Sequence, residues 1–125
     1  MLIQSRDRLR RFPIAEFVNA NFKARDWTEA LDPPYTAVIA MQSVHEIRHK
    51  RHIPGLYRQL RQVLAPAGMV AVCDWTPEEA DVLWRRSLFL TLEEQIDAFA
   101  AAGFADVALD QAMGRMVLVA GQVQV

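Results

Sequence analysis

Two stretches, Tyr35-Thr36-Ala37-Val38-Ile39-Ala40 and Met69-Val70-Ala71-Val72-Cys73-Asp74-Trp75, decide the reading of this chain together with the segment that joins them. The first is a short apolar run of residues that suit a pleated sheet. Met41-Gln42-Ser43-Val44-His45-Glu46 follows it, a mixed polar segment of the kind found where a strand ends beside a site. From Ile53 the spacing turns helical. Ile53, Leu56, Tyr57, Leu60, Val63 and Leu64 place one apolar stripe against a sheet, and Arg58, Gln59, Arg61 and Gln62 take the other side. Ala65-Pro66-Ala67-Gly68 stops the helix, because proline cannot continue it. The continuous apolar run that follows reads as a strand buried on both faces, and such strands are usually parallel. Two parallel strands joined by a helix make a right-handed βαβ unit. Ligands in such sheets sit beyond the carboxyl ends of the strands, here Met41 to Glu46 and Asp74 to Thr76.

The totals fit this reading. At 125 residues the chain holds one domain at most, and 52% hydrophobic with 23% charged residues is the composition of a soluble globular chain. No window approaches the 18 apolar residues of a membrane-spanning helix, and no apolar stretch follows the N-terminal arginines as a secretory signal would require. The lone Cys73 excludes an internal disulfide and reads as an inert core thiol, so a reducing cytoplasm is the expected compartment. The net charge of −1 is unevenly spread. Residues 1–64 carry 11 Lys/Arg against 6 Asp/Glu, and residues 65–125 carry 3 against 9. A balanced total argues against a general nucleic-acid binder.

Around the central unit, residues 1–12 read as a helix ended by Pro13, and Ile14 to Ala20 as a short strand. Asp26 to Leu31 reads as a helical turn, and Asp32-Pro33-Pro34 as a rigid entry into the Tyr35 strand. Thr76-Pro77-Glu78-Glu79 signals a helix start, with Val82 and Leu83 facing inward; Thr91-Leu92-Glu93-Glu94 repeats the signal. Leu92, Ile96, Phe99 and Ala100 form the next expected stripe, closed by Gly103-Phe104 as a left-handed cap. Val107 to Leu109 and Met116 to Ala120 read as a hairpin turning at Met113-Gly114-Arg115.

These residues carry a family resemblance. Arg61-Gln62-Val63-Leu64-Ala65-Pro66-Ala67-Gly68 through Asp74 resembles the "R-x-V-L-x-P-G-G-x-x-x-x-x-D" segment of class I S-adenosylmethionine-dependent methyltransferases. Tyr35 to Ile47 resembles that family's preceding strand and its "L-H-x-h" tail, and Thr91 to Phe104 its "s-x-e-e-h-x-x-h-h-x-x-A-G-F" helix. The resemblance runs from about Ile14 onward and concerns the later part of the family's domain. It implies an α/β fold of three layers: a mainly parallel sheet of about five strands with a C-terminal antiparallel hairpin, a truncated Rossmann-like methyltransferase fold formed by a single partial domain over residues 1–125.

The same resemblance assigns candidate roles. Asn21 falls where the family sets Asp or Asn against the adenine amino group, with Phe22 beside the ring; by residue type alone it is a strand-end asparagine. Met41, Gln42 and Ser43 follow the central strand, where cofactor and substrate meet; read plainly, they are loop packing. His45 matches the "L-H" position and can orient substrate or take a proton, against the plainer role of a histidine bonded at a helix start. Glu46, Asp74 and Trp75 line the acceptor side. S-adenosylmethionine is the implied cofactor and a small molecule the implied methyl acceptor. Arg48-His49-Lys50-Arg51-His52 precedes a helix, where positive charge opposes the helix dipole; a solvated loop is the plain reading and an anion site the sharper one. His49 and His52 lack the cysteines or paired carboxylates of a metal site.

What the chain lacks matters as much. No G-x-G occurs, and Met1-Leu2 already resembles the helix that follows the family's second strand. Without a glycine-rich turn a bound cofactor loses backbone partners, each unmet polar group costing roughly 1–3 kcal/mol. The Tyr35 strand is also left with an open edge, which invites pairing and points to a homo-oligomer. Two other readings stand beside methyl transfer: a non-catalytic interaction module working through that edge, and an anion or nucleic-acid binder using Arg6 to Arg11 and Arg48 to His52.

Overall fold

The structure, a computed structural model, describes residues 24–44, 49–77 and 83–124, with the side chains of 83–85 outside the description. The chain divides into two compact units, Met1–Asp32 and Pro33–Val125. In the first, the expected helical turn is a 3-10 turn over Trp27–Ala30. The helix read over residues 1–12 and the strand read over Ile14 to Ala20 lie outside the described residues.

The second unit is the α/β unit. In chain order it holds β1 (Tyr35–Met41), a 3-10 turn (Lys50–His52), α1 (Ile53–Val63), β2 (Leu64–Trp75), α2 (Leu83–Leu88), α3 (Leu92–Ala101), β3 (Ala105–Met113) and β4 (Met116–Gln122). The strands form one sheet in the order β1-β2-β4-β3. β1 and β2 are parallel, running in step from Ala37 opposite Met69 to Met41 opposite Cys73. β4 pairs antiparallel with both β2 and β3. The four described strands therefore make a mixed α/β sheet, close to the expected five, with the C-terminal hairpin present.

The stop read at Ala65–Gly68 is real but sits inside β2. Leu64 pairs with Tyr35, yet Met69 pairs with Ala37, so residues 65–68 loop out of the ladder. The loop is tied down from outside: Ala67 N–H donates to the Val123 carbonyl at 3.0 Å, and Val123 N–H to the Gly68 carbonyl at 2.8 Å.

α1 buries Ile53, Leu56, Tyr57, Leu60 and Val63, the stripe its spacing predicts. They close over Val70, Val72 and Val119, which are fully or almost fully buried in the sheet. On α3 the expected stripe is turned about the axis. Gln95, Ala98 and Phe99 are its buried residues, while Leu92 and Ile96 are half-exposed and Ala100 is exposed. Gln95 takes a core position because Tyr57 Oη donates to its Oε1 at 2.7 Å. A polar group buried with a partner escapes the desolvation penalty, and counting apolar residues alone cannot see that. The Tyr57 and Phe99 rings stack at 4.2 Å, and Phe104 meets Phe99 edge-on at 5.6 Å. Gly121 in β4 makes room for Phe104, whose Cβ would stand 3.1 Å from any added Cβ there.

Both ends of α3 match the expectation. Thr91 Oγ1 accepts from Glu94 N–H at 3.1 Å and Glu94 Oε1 accepts from Thr91 N–H at 3.0 Å, a complete capping box. Gly103 at φ 97 turns the chain left-handed, and Phe104 N–H returns to the Phe99 carbonyl at 3.1 Å. Arg61 Nε donates to the Gly103 carbonyl at 3.3 Å and lies over the glycine. At Thr76 the hydroxyl donates to the Arg115 carbonyl; residues 78–82 of the helix read there, Val82 among them, and the Leu83 side chain lie outside the described residues.

Replacing Gly103 by alanine should cost about 1–2 kcal/mol in urea unfolding, since the residue would have to hold a positive φ against the Arg61 side chain. Burial first, and the nearby Asp74 carboxylate second, push the Tyr57 phenol far above its ordinary value, outweighing the Gln95 hydrogen bond. The folded state therefore keeps the phenolic proton to higher pH than the unfolded chain does. That stability is fully present below about pH 10 and falls as pH rises beyond it. Denaturant melts between neutral and strongly alkaline pH should show the fall in the native chain and a flatter curve in Tyr57→Phe, which should also be about 1–3 kcal/mol less stable at neutral pH because Gln95 loses its partner.

Candidate functional site

Because β1 and β2 are parallel, their carboxyl ends emerge side by side, which is where open α/β sheets bind ligands. Met41 closes β1 opposite Cys73. Gln42 then turns left-handed at φ 52, unusual for a residue with a side chain, while its N–H donates to the Cys73 carbonyl. That bend swings the Gln42 amide toward β4, where Nε2 lies 3.8 Å from Met116 Sδ. A strained turn at a strand end is a common mark of a ligand-facing loop. Ser43 is half-buried and Val44 buried. His45 and Glu46 fall outside the described residues, as do Asn21 and Phe22.

The end of β2 is built differently. Asp74 is 7% exposed and its Oδ1 accepts from Trp75 N–H at 2.9 Å. Trp75 is 37% exposed. Thr76 then anchors the strand end to the hairpin, with N–H and Oγ1 both donating to the Arg115 carbonyl at 2.7 and 2.9 Å. The structure thus gathers Val44 from behind β1, Asp74 and Trp75 from β2, and Gln95 from α3 around one enclosed cavity of about 10 Å³. It is about the size of a single water, with two polar side chains in its wall. Met41 and Gln42 stand apart from this cavity, on the Met116 side. The predicted residues therefore divide into an exposed pair, Met41 and Gln42, and a closed group around Asp74.

Sequence reading did not single out Gln95, Val44 or Met116. Gln95 was in principle legible, being a glutamine at a core-facing helix position. Met116 looked like any other apolar strand residue.

A larger cleft of about 500 Å³ lies elsewhere, between His49, Lys50 and Pro54 on one side and Glu94 and Asp97 on the other. His49, Lys50 and Arg51 of the basic run line it, and none of the residues assigned to cofactor or acceptor does. In the described part of the basic run, residues 49–52, Lys50 Nζ meets Glu94 Oε1 at 3.0 Å, and His49 Nδ1 accepts from Arg51 N–H at 3.1 Å. Partial burial would raise the Glu94 carboxyl, but the Thr91 N–H and the Lys50 ammonium outweigh it and hold it below its ordinary value. The described residues contain no cluster of metal-ligating side chains, and none of their helices is long and apolar enough to cross a membrane.

Comparison with known proteins places this arrangement. No protein-family model matches the sequence, and no curated protein matches it either. Solved structures do. The CurJ carbon methyltransferase superposes with a TM-score of 0.78 at 13% identity, over 99% of this chain and 39% of that one. An O-methyltransferase family protein from Burkholderia thailandensis gives 0.75 at 15% identity, over 96% and 40%. PigF, solved with SAH, gives 0.70 at 16% identity, over 96% and 39%. The chain thus spans about two fifths of the length of these structures. Over the part that it spans, the chain has the fold of these methyltransferase structures.

Proposed function

We propose that this chain is the later part of an S-adenosylmethionine-dependent methyltransferase domain and supplies the strand-end residues that face cofactor and acceptor. The observation that carries the reading is the parallel β1–β2 pair, whose ends bring Met41 and Gln42 beside Asp74 and Trp75 on a sheet shared with methyltransferases. Exposed Met41 and the partly exposed Trp75 offer apolar surface, and the Gln42 amide offers a donor and an acceptor. These suit one side of a nucleoside with a thioether tail. The backbone cradle for its other side is not found among the described residues. Asn21 would hold the adenine amino group with Phe22 beside the ring, and Ser43, Glu46, Asp74 and Trp75 would position the acceptor.

S-adenosylmethionine supplies an electrophilic methyl group on a sulfonium. Were it bound, the strand-end residues would hold an acceptor's electron pair in line with the carbon–sulfur bond of that sulfonium, and His45 or water would take the proton the acceptor loses. Such a transfer depends mainly on positioning and on exclusion of water, so no nucleophile from the chain is needed. The similar structures include a carbon methyltransferase and an O-methyltransferase family protein. A free buried Cys73 agrees with work in a reducing compartment such as the cytoplasm.

A second reading, a module that acts by association rather than catalysis, is favoured by one observation. β1 lies at the sheet edge, with Ile39 69% exposed upon it.

Calorimetric titration with S-adenosylmethionine separates the two. The first reading expects saturable binding, weakened about five- to tenfold by Gln42→Ala through loss of one hydrogen bond. Absence of any binding heat sinks it and leaves the second.

A further inference from the structure

The sheet has two faces, and α1 and α3 cover only one of them. Strand alternation puts Ile39 and Met41 of β1, Met69 and Trp75 of β2, and Met116 and Leu118 of β4 on the other face, and Met113, paired with Met116, continues it onto the hairpin tip. Among the described residues of the 33–125 unit, no helix covers this second face. Ile39 is 69% exposed, Met41 59%, Met69 45%, Trp75 37% and Met113 82%. Parallel strand pairs are almost always covered on both sides, so this face is bare where its own geometry calls for a cover.

We propose that the cover is a second copy of this chain, packed sheet against sheet about this face. This deepens the association reading and does not depend on cofactor binding. Three observations favour a copy over other occupants. First, the paired rows of the face hold no charged residue, and the exposed carboxylates of β3, Asp106 and Asp110, stand at its two register shifts outside those rows. The row at Met41 runs through Cys73 and Leu118 to Gln111, and the row at Ile39 through Ala71 and Ala120 to Ala108. A two-fold interface sets a patch against itself, so a charged patch would repel its copy and a neutral one does not. Second, four methionines sit on this face, Met41, Met69, Met113 and Met116. Their flexible thioethers can repack against an identical surface without prior shape complementarity. Third, the exposed large side chains leave on the order of 500 Å² of apolar surface in water, the scale that marks interaction sites. The half-exposed residues between them bring the face toward the roughly 800 Å² that each partner of a standard interface buries. Since Met41, Trp75 and Met116 belong to both this face and the strand ends, the copy would also wall the exposed half of the candidate site.

Light scattering across about a hundredfold range of concentration tests this. The wild-type chain should reach twice the chain mass. Ile39→Asp and Met113→Asp, both at exposed positions that tolerate a charge in the folded monomer, should each raise the dimer dissociation constant at least tenfold with unchanged far-UV circular dichroism. Leu109→Asp on β3, whose register partner Val119 lies on the helix-covered face, should leave the dimer intact. A wild-type chain that stays monomeric throughout overturns the proposal, and so does a dimer indifferent to both aspartates. Calorimetry with S-adenosylmethionine on the same samples keeps the two readings apart. A dimer that ignores the cofactor sinks methyl transfer alone, and a monomer that binds it sinks self-association alone.

Discussion

Two parallel strands cannot be joined by a tight turn. The chain leaving Met41 must travel the length of the sheet before Met69 can lie beside Ala37, and α1 makes that return. A helix held against a sheet must present an apolar stripe, so Tyr57, Leu60 and Val63 are fixed in their direction by the strands they connect. The rest of the unit leans on this packing. Phe99 stacks on Tyr57, Phe104 stands against Phe99, and Gly121 recedes to admit Phe104. One aromatic run thereby carries the order of the central βαβ unit into the last helix and the hairpin.

The same constraint places the site. Parallel strands end together, and the residues just past those ends are free of the ladder and can turn toward a ligand. Gln42 leaves β1 with a left-handed backbone while its N–H stays on the Cys73 carbonyl, and Asp74, still paired with Val117 near the end of β2, carries a buried carboxylate near Tyr57. Tyr57 and Gln95 form the floor of that end of the molecule. Their hydrogen bond lets two polar groups lie beneath Asp74 without an unmet partner, and among the described residues no buried side-chain polar atom is left without one. The site is thus continuous with the core, so a change at Tyr57 reaches Asp74 through packing and charge together.

The uneven cover of the sheet is the other consequence. Val70, Val72 and Val119 on the face toward α1 and α3 are fully buried, while Ile39, Met41, Met69, Trp75 and Met113 on the opposite face keep a third or more of their surface in water. The structures that share this fold are about two and a half times as long. Among the described residues the exposed methionines and Trp75 lie on one face of the sheet with β1 as its edge strand, so the proposed self-association and the proposed site would share Met41 and Trp75.

Local pattern was enough for much of this. The apolar runs at Tyr35 and Met69, the stripe of α1, the capping box at Thr91, the left-handed Gly103 and the closing hairpin were all legible, because each depends on neighbours within a few residues in sequence. Three features were not. The turn at Ala65–Gly68 became a loop within β2, since bonds to Val123, far along the chain, hold it there. The buried side of α3 rotated toward Gln95, since only the fold brings Tyr57 within hydrogen-bonding distance. The Met69 strand, read as buried on both faces, is buried on one, since cover is supplied by other elements and not by the strand's own residues. Over the described residues, periodicity and capping chemistry that act over one or two turns marked the strands and helices of the 33–125 unit and their order. Tertiary structure alone decided which polar groups could be buried and which apolar ones stay in water, because burial depends on partners distant in the chain.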